Sequence, residues 1–244
     1  MNQRNTFISG MVAIIFLIIS CSKFEPEAPD DDSILDGPVN GLTYEQNRQF
    51  LAGDIAFNNE IFTPATGLGP IFVATSCGSC HAGDGKGTPF TTLVRFGQTD
   101  STGNKYLHLG GPQLQNRAIP GFKTEVIPNG ATSSKFTPPA NTGLGFLELV
   151  SDEDILSMSD PEDSNGDGIS GVPSFGYLPE FITPNSNAVV KNGKYIHRFG
   201  KKAAAYNLLH QTVNAYNQDM GITSTFTPHD VYSGHTIDPE VSDK

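Results

Sequence analysis

Residues 76–87 read Ser76-Cys77-Gly-Ser-Cys80-His81-Ala-Gly-Asp-Gly-Lys-Gly87, and the rest of the chain is read outward from them. C-x-x-C-H is the attachment signature of c-type haem. Two thiols on one short turn can add to the two vinyl groups of a haem, and the adjacent imidazole of His81 then reaches the iron as proximal ligand. Two rival readings fit less well. A thioredoxin-like redox pair should open a helix inside a βαβ unit, whereas the flanks here are Gly67-Leu-Gly-Pro70 and Gly83-Asp-Gly-Lys-Gly87. A tetrahedral zinc site needs four ligands, and no second Cys or His pair has suitable spacing. One covalent haem on Cys77 and Cys80 is therefore expected.

The third of the three cysteines stands at the end of an export signal. Arg4 gives a positive start, and Met11–Ile19 is an apolar run too short to span ~30 Å of hydrocarbon as a helix. Leu17-Ile18-Ile19-Ser20-Cys21 resembles the lipobox of bacterial lipoproteins, whose signal is cut before the cysteine. The expected organisation is a lipoprotein signal peptide over 1–20, an acidic Pro-rich tether from the lipidated Cys21 to 41, and a haem domain over 42–244. Two or more acyl chains suffice for stable anchoring. The resulting location is the cell envelope, on the periplasmic or outer-membrane face, with the membrane reached through the lipid. Lys plus Arg number 15 and Asp plus Glu 26 in 244 residues, a net charge of −11. That balance argues against nucleic acid as a partner and permits a basic redox protein.

Local signals mark three helices. Thr43-Tyr-Glu-Gln46 fits a capping box, and Phe50, Leu51, Ile55 and Phe57 continue a helix over about 43–60 toward the haem side. Ser151 caps a short helix over about 151–158, with acids in its first turn. An Ala- and Leu-rich stretch predicts a helix over about 200–218, stopped by Gly221. Residues 64–147, rich in Gly, Pro and Thr, read as long loops with short strands that wrap a large flat cofactor.

Further residues suit metal or cofactor chemistry. Asp163-Ser-Asn165-Gly-Asp167-Gly168-Ile169 matches the first seven positions of an EF-hand loop, although position twelve is Ser174 rather than Glu. The alternatives are a Ca²⁺ site and an Asx-rich surface turn. For the sixth position on the iron, the candidates are His108, His197, His210, His229, His235, Met158 and Met220, with His210 and Met220 placed by the helix that carries them. Arg117 and Arg198 are candidates to pair with haem propionates, since guanidinium forks suit carboxylates.

Several blocks in order extend the signal. Leu109-Gly-Gly-Pro-Gln-Leu-Gln-Asn-Arg-Ala-Ile-Pro-Gly121, Gly143-Leu-Gly-Phe-Leu-Glu148, Asp163–Gly171, Arg198-Phe-Gly-Lys-Lys-Ala203 and Asp219-Met-Gly-Ile-Thr-Ser224 join the haem motif. Together they resemble the bacterial di-haem oxidoreductases, also called thiol oxidoreductases, distant relatives of the di-haem cytochrome c peroxidases. The resemblance runs from about residue 43 to the end. It implies a mainly α, cytochrome c-like domain with long loop insertions, and electron transfer with peroxidase-like reduction. Gln113 and Glu148 lie in family-like blocks and are candidate distal acid–base groups. One departure is large: the family carries two C-x-x-C-H motifs on a longer chain, and here there is one. The expectation is an N-terminal haem half. The alternatives are a mono-haem electron carrier without catalysis and a binding module stapled by haem. A dithiol activity finds no free cysteine to support it.

Overall fold

Thr43 begins the first helix as its sequence predicts. Its side chain accepts the Gln46 amide while the Gln46 side chain accepts the Thr43 N–H, a complete capping box that satisfies two otherwise orphaned donors. The computed structural model describes residues 37–83, 85–100 and 103–228. The predicted signal, the lipidation site Cys21, most of the tether, and His229 and His235 lie outside the described residues. No helix among the described residues is long and apolar enough to cross a membrane.

Four α-helices are described: α1 Tyr44–Asn59, α2 Leu144–Leu149, α3 Asp152–Ser157 and α4 Leu208–Met220. Nine short strands accompany them. β1 (Ile71–Phe72) pairs with β5 (Arg117–Ala118), β2 (Leu93–Phe96) with β6 (Ser133–Phe136), and β3 (Gln98–Asp100) with β4 (Gly103–Asn104). A three-stranded sheet has the order β7 (Ser174–Gly176), β9 (Lys194–His197), β8 (Val190–Lys191). All these pairings are antiparallel. The expected mainly α, cytochrome c-like fold is thus corrected: several small sheets share the architecture with few helices. Gly-rich connections cause this. Gly83, Gly85, Gly87, Gly97, Gly110 and Gly111 all take the left-handed backbone, which a right-handed helix does not use, so the chain between α1 and α2 turns repeatedly.

A second correction concerns the helix predicted over 200–218, which begins at Leu208. Composition there suggests helix, but tertiary structure uses residues 198–205 otherwise. Ala203 sits at φ 45° and Phe199 bridges to Ala205. Asn207 then caps α4 by accepting the His210 amide.

The C-terminal end of α4 holds the site's scaffold together. Gly221 adopts the left-handed cap conformation the sequence predicts. The last carbonyls of α4 need donors from elsewhere, and the strand leading to the cysteine turn supplies them. Gly69 N–H donates to the Met220 carbonyl, and Val73 and Ala74 N–H both donate to that of Asp219. Phe62, Leu68, Phe72, Met220 and Ile222 bury their side chains around this crossing, with Cys77 and Tyr216 packed against them. Each such burial contributes roughly 1.5–3 kcal/mol.

Candidate functional site

The motif folds into a single helical turn. The Cys80 and His81 amides both donate to the Cys77 carbonyl, at 3.1 and 2.9 Å. Ser76 begins the turn, its hydroxyl accepting the Ser79 amide. Positions i, i+3 and i+4 share one face of such a turn, so Cys77, Cys80 and His81 project together. The end of α1 presses on the same turn: a Cβ at Gly78 would meet the Asn58 carbonyl oxygen at 3.2 Å, and the Phe57 ring lies 5.9 Å from the His81 ring.

His81 is held as a ligand would be. Its Nδ1 lies 3.0 Å from the Pro139 carbonyl oxygen. A carbonyl only accepts, so Nδ1 carries the proton and Nε2 keeps its lone pair. Burial also pulls the imidazole down from its usual range, partly offset by the Pro139 carbonyl. The neutral form with a free Nε2 is the form that binds a metal, and a carbonyl behind the ring is the usual orienting partner. Nothing in the sequence marked Pro139 for this role.

Both cysteines are free thiols. Burial pushes Cys77 up to about 11, and the nearby Asp219 carboxyl adds to the effect. Burial likewise raises Cys80, again with Asp219, while the Ser79 hydrogen bond and the Arg117 charge draw it down. Reactive dithiols show the opposite shift, toward the thiolate. The pair is therefore poorly suited to exchange chemistry at neutral pH.

Asp219 is a residue sequence reasoning missed. It is half-buried, accepts a 2.7 Å hydrogen bond from Gln113 Nε2, and desolvation pushes it up to about 7 against the pull of Arg95. Gln113, itself buried, is thus bound to a half-buried acid. Between about pH 4 and 7 the folded chain holds a proton here that the unfolded chain has lost. The contribution of Asp219 is fully present below about pH 4 and is lost as pH rises through 7. Asp219→Asn removes this term. The variant's stability relative to the parent should rise by about 1.4 kcal/mol per pH unit across that window. Urea unfolding at several pH values checks it; a difference that stays constant with pH rejects it.

The structure separates the remaining predicted site residues. Met220 shares the core in which Cys77 packs. His210 stands ten residues earlier on α4, about 15 Å along the axis. Its Nδ1 accepts the Tyr206 N–H at 3.2 Å, which puts its proton on Nε2 and makes that atom a donor. His108 and Met158 are exposed, whereas His197 is buried. Glu148 Oε1 accepts the Leu208 amide at 3.3 Å, an acid at the start of α4. Arg117 is exposed on β5, on the strand beside Phe72.

Arg198 does not face an open site: it pairs with buried Asp152 and donates to the Val150 carbonyl. Its two terminal nitrogens thus meet partners within the protein, while its buried Nε has none. In the 163–169 loop, Asp163 accepts the Gly168 amide, and Asn165 and Asp167 accept the Asp167 and Ile169 amides. Ile169 is exposed. These are the bonds of an Asx-rich turn. Among the described residues, no group of three or more His, Cys, Asp or Glu side chains converges as a metal site.

Comparison with known proteins places the family signal in the second half of the chain. Residues 133–240 match the family model described as "Di-haem oxidoreductase, putative peroxidase". That stretch runs from β6 through α4 and contains His197, Arg198 and His210, while the cysteine turn lies upstream of it. The match supports a redox role for the chain. No curated protein and no solved structure matches it.

Proposed function

We propose that this chain is an exported redox protein carrying one haem covalently bound through Cys77 and Cys80, with His81 as proximal ligand, and that it transfers electrons. The observation that carries the reading is the His81–Pro139 contact on the cysteine turn. It leaves a neutral imidazole with an unprotonated Nε2 on the same turn as two thiols, one residue after Cys80 and four after Cys77. The residues present thus fit a c-type haem, which when bound supplies one-electron chemistry. Cys77 and Cys80 would hold it, His81 orient it, and Phe57 shield the imidazole from water. The raised thiols favour this use over dithiol exchange.

Anchoring through Cys21 at the cell envelope accords with the lipobox-like sequence, and the acidic balance accords with a basic redox protein as partner. A second reading, reduction of peroxide, is favoured by the peroxidase wording of the family match. Among the sixth-ligand candidates, Met220 is the one in the core that also receives Cys77.

The test is the visible spectrum of full-length protein matured with the c-haem machinery. Haem that remains with the chain after acid extraction is expected, and should be lost in Cys77→Ser/Cys80→Ser. No covalent haem in the parent would overturn the reading. A low-spin spectrum unchanged by peroxide supports electron transfer alone; a high-spin spectrum that shifts with peroxide supports the peroxidase reading.

A further inference from the structure

A cavity of about 1020 Å³ lies between the β7–β9–β8 sheet, α4 and the β2 region, and none of the three motif residues lines it. The two sites use different faces of α4. Buried Val213 shares a stripe with Tyr216 and Met220, which face the core that receives Cys77, whereas His210, Asn214, Asn217 and Gln218 line the cavity. At 100° per residue these two stripes are centred about 110° apart.

The cavity wall is cationic in a chain of net charge −11. It carries Arg95, Lys191, Lys194 and Lys202 against a single acid among the described residues, Glu125. Both carboxylate oxygens of Glu125 are engaged, accepting the Gly111 amide at 3.0 Å and the Gln115 amide at 2.6 Å. Asp219 interacts electrostatically with Arg95 and does not line the cavity. One directed donor and one open acceptor accompany the charge, because backbone carbonyls of Ala204 and Tyr177 draw the His197 proton away from its Nε2. His210 presents a protonated Nε2, because its Nδ1 accepts from Tyr206. His197 is 7% exposed, its ring stands 5.7 Å from that of His210, and its Nε2 has no hydrogen-bond partner. Such an atom costs stability unless something binds it. The wall is also partly apolar. Phe175 lies under the Lys191 ammonium at 5.7 Å, and Leu107 and Val172 are exposed at the lining.

We propose that this cavity binds an organic anion, with carboxylate groups on an apolar body, at a site separate from the cysteine turn. Lys191, Lys194, Lys202 and Arg95 supply the charge, His210 supplies a directed donor, the unpartnered Nε2 of His197 supplies an acceptor, and Phe175, Val172 and Leu107 cover the apolar body. Gly176 keeps the wall open: a Cβ there would come within 2.4–2.8 Å of the His197 ring. The inference does not rest on the haem reading.

The probe is naphthalene-2,6-dicarboxylate, followed by its fluorescence. It is titrated into full-length protein matured with the haem machinery and into Cys77→Ser/Cys80→Ser. One saturable site of equal affinity in both is expected. Affinity should fall at least ten-fold in Lys191→Ala/Lys194→Ala, whose lysines are surface residues, and in Gly176→Ala. Uncharged 2,6-dimethylnaphthalene should not bind, and inorganic phosphate should not displace the probe. Binding only to the cysteine-free protein would assign the cavity to the haem and overturn the proposal. Absence of binding, binding unchanged in both variants, equal binding of the uncharged analogue, or full displacement by phosphate would overturn it as well.

Discussion

Gly69→Ala should cost about 3 kcal/mol or more in stability and empty the cysteine turn of its support. At the crossing beside α4 a Cβ on Gly69 would lie 2.0 Å from the Gly221 carbonyl oxygen and 2.4 and 2.6 Å from the Gly221 carbonyl carbon and Cα. Those are backbone atoms, so no rotamer change relieves the clash. The Gly221 side is equally closed, since a Cβ there would meet the Ile71 carbonyl oxygen at 2.2 Å. Separating the two segments would stretch the three hydrogen bonds by which Gly69, Val73 and Ala74 satisfy the end of α4. Overpacking ordinarily costs 1–3 kcal/mol, and loss of buried backbone bonds adds to it. Gly53→Ala is the control: Gly53 lies inside α1 with nothing within 4 Å of its added Cβ, so helix propensity alone should stabilise it by roughly 0.5–1 kcal/mol. Urea midpoints for both variants test the contrast, and a Gly69→Ala midpoint within error of the parent would refute the close-packed crossing.

Arg198→Met should cost about 3–5 kcal/mol, the usual penalty for removing one partner of a buried ion pair. Arg198 and Asp152 are 10% and 6% exposed at their side chains. Asp152 also accepts the Val189 amide at 2.8 Å, so one carboxylate ties α3 to the residue just after β9 and to the residue just before β8. Methionine fills much of the arginine's volume but leaves the carboxylate charged and short of a partner. Adding Asp152→Asn removes that charge and should recover part of the loss, because the remaining amide oxygen can still accept from Val189. Equilibrium unfolding of the single and double variants decides it. A single variant within 1 kcal/mol of the parent, or a double variant as unstable as the sum of both changes, would show that the pair does not act as described.

These two residues show where sequence reasoning ran short. Arg198 sits in a family-like block and carries a guanidinium suited to carboxylates, so a cofactor was a reasonable partner. The carboxylate it meets belongs to Asp152, 46 residues earlier. Asp152 itself was read as a first-turn acid of a short helix, which it is. Its burial depends on what packs over that turn. Likewise Ala203 and its neighbours favour helix by composition, yet the turn from Phe199 to Ala205 overrides that preference.

Interactions closed within a few residues were determined by the sequence itself. They include the Thr43 capping box, the Ser151 and Gly221 helix ends, and the shared face of Cys77, Cys80 and His81. Each needs only local backbone geometry and one suitable side chain. Tertiary structure decided the rest: the Pro139 carbonyl that sets the His81 tautomer from 58 residues away, the desolvation of Asp219, the engagement of Arg198, and the cationic cavity behind α4. Those outcomes depend on which distant groups come within about 3 Å and on how much water is excluded around them, and neither quantity is encoded in local spacing.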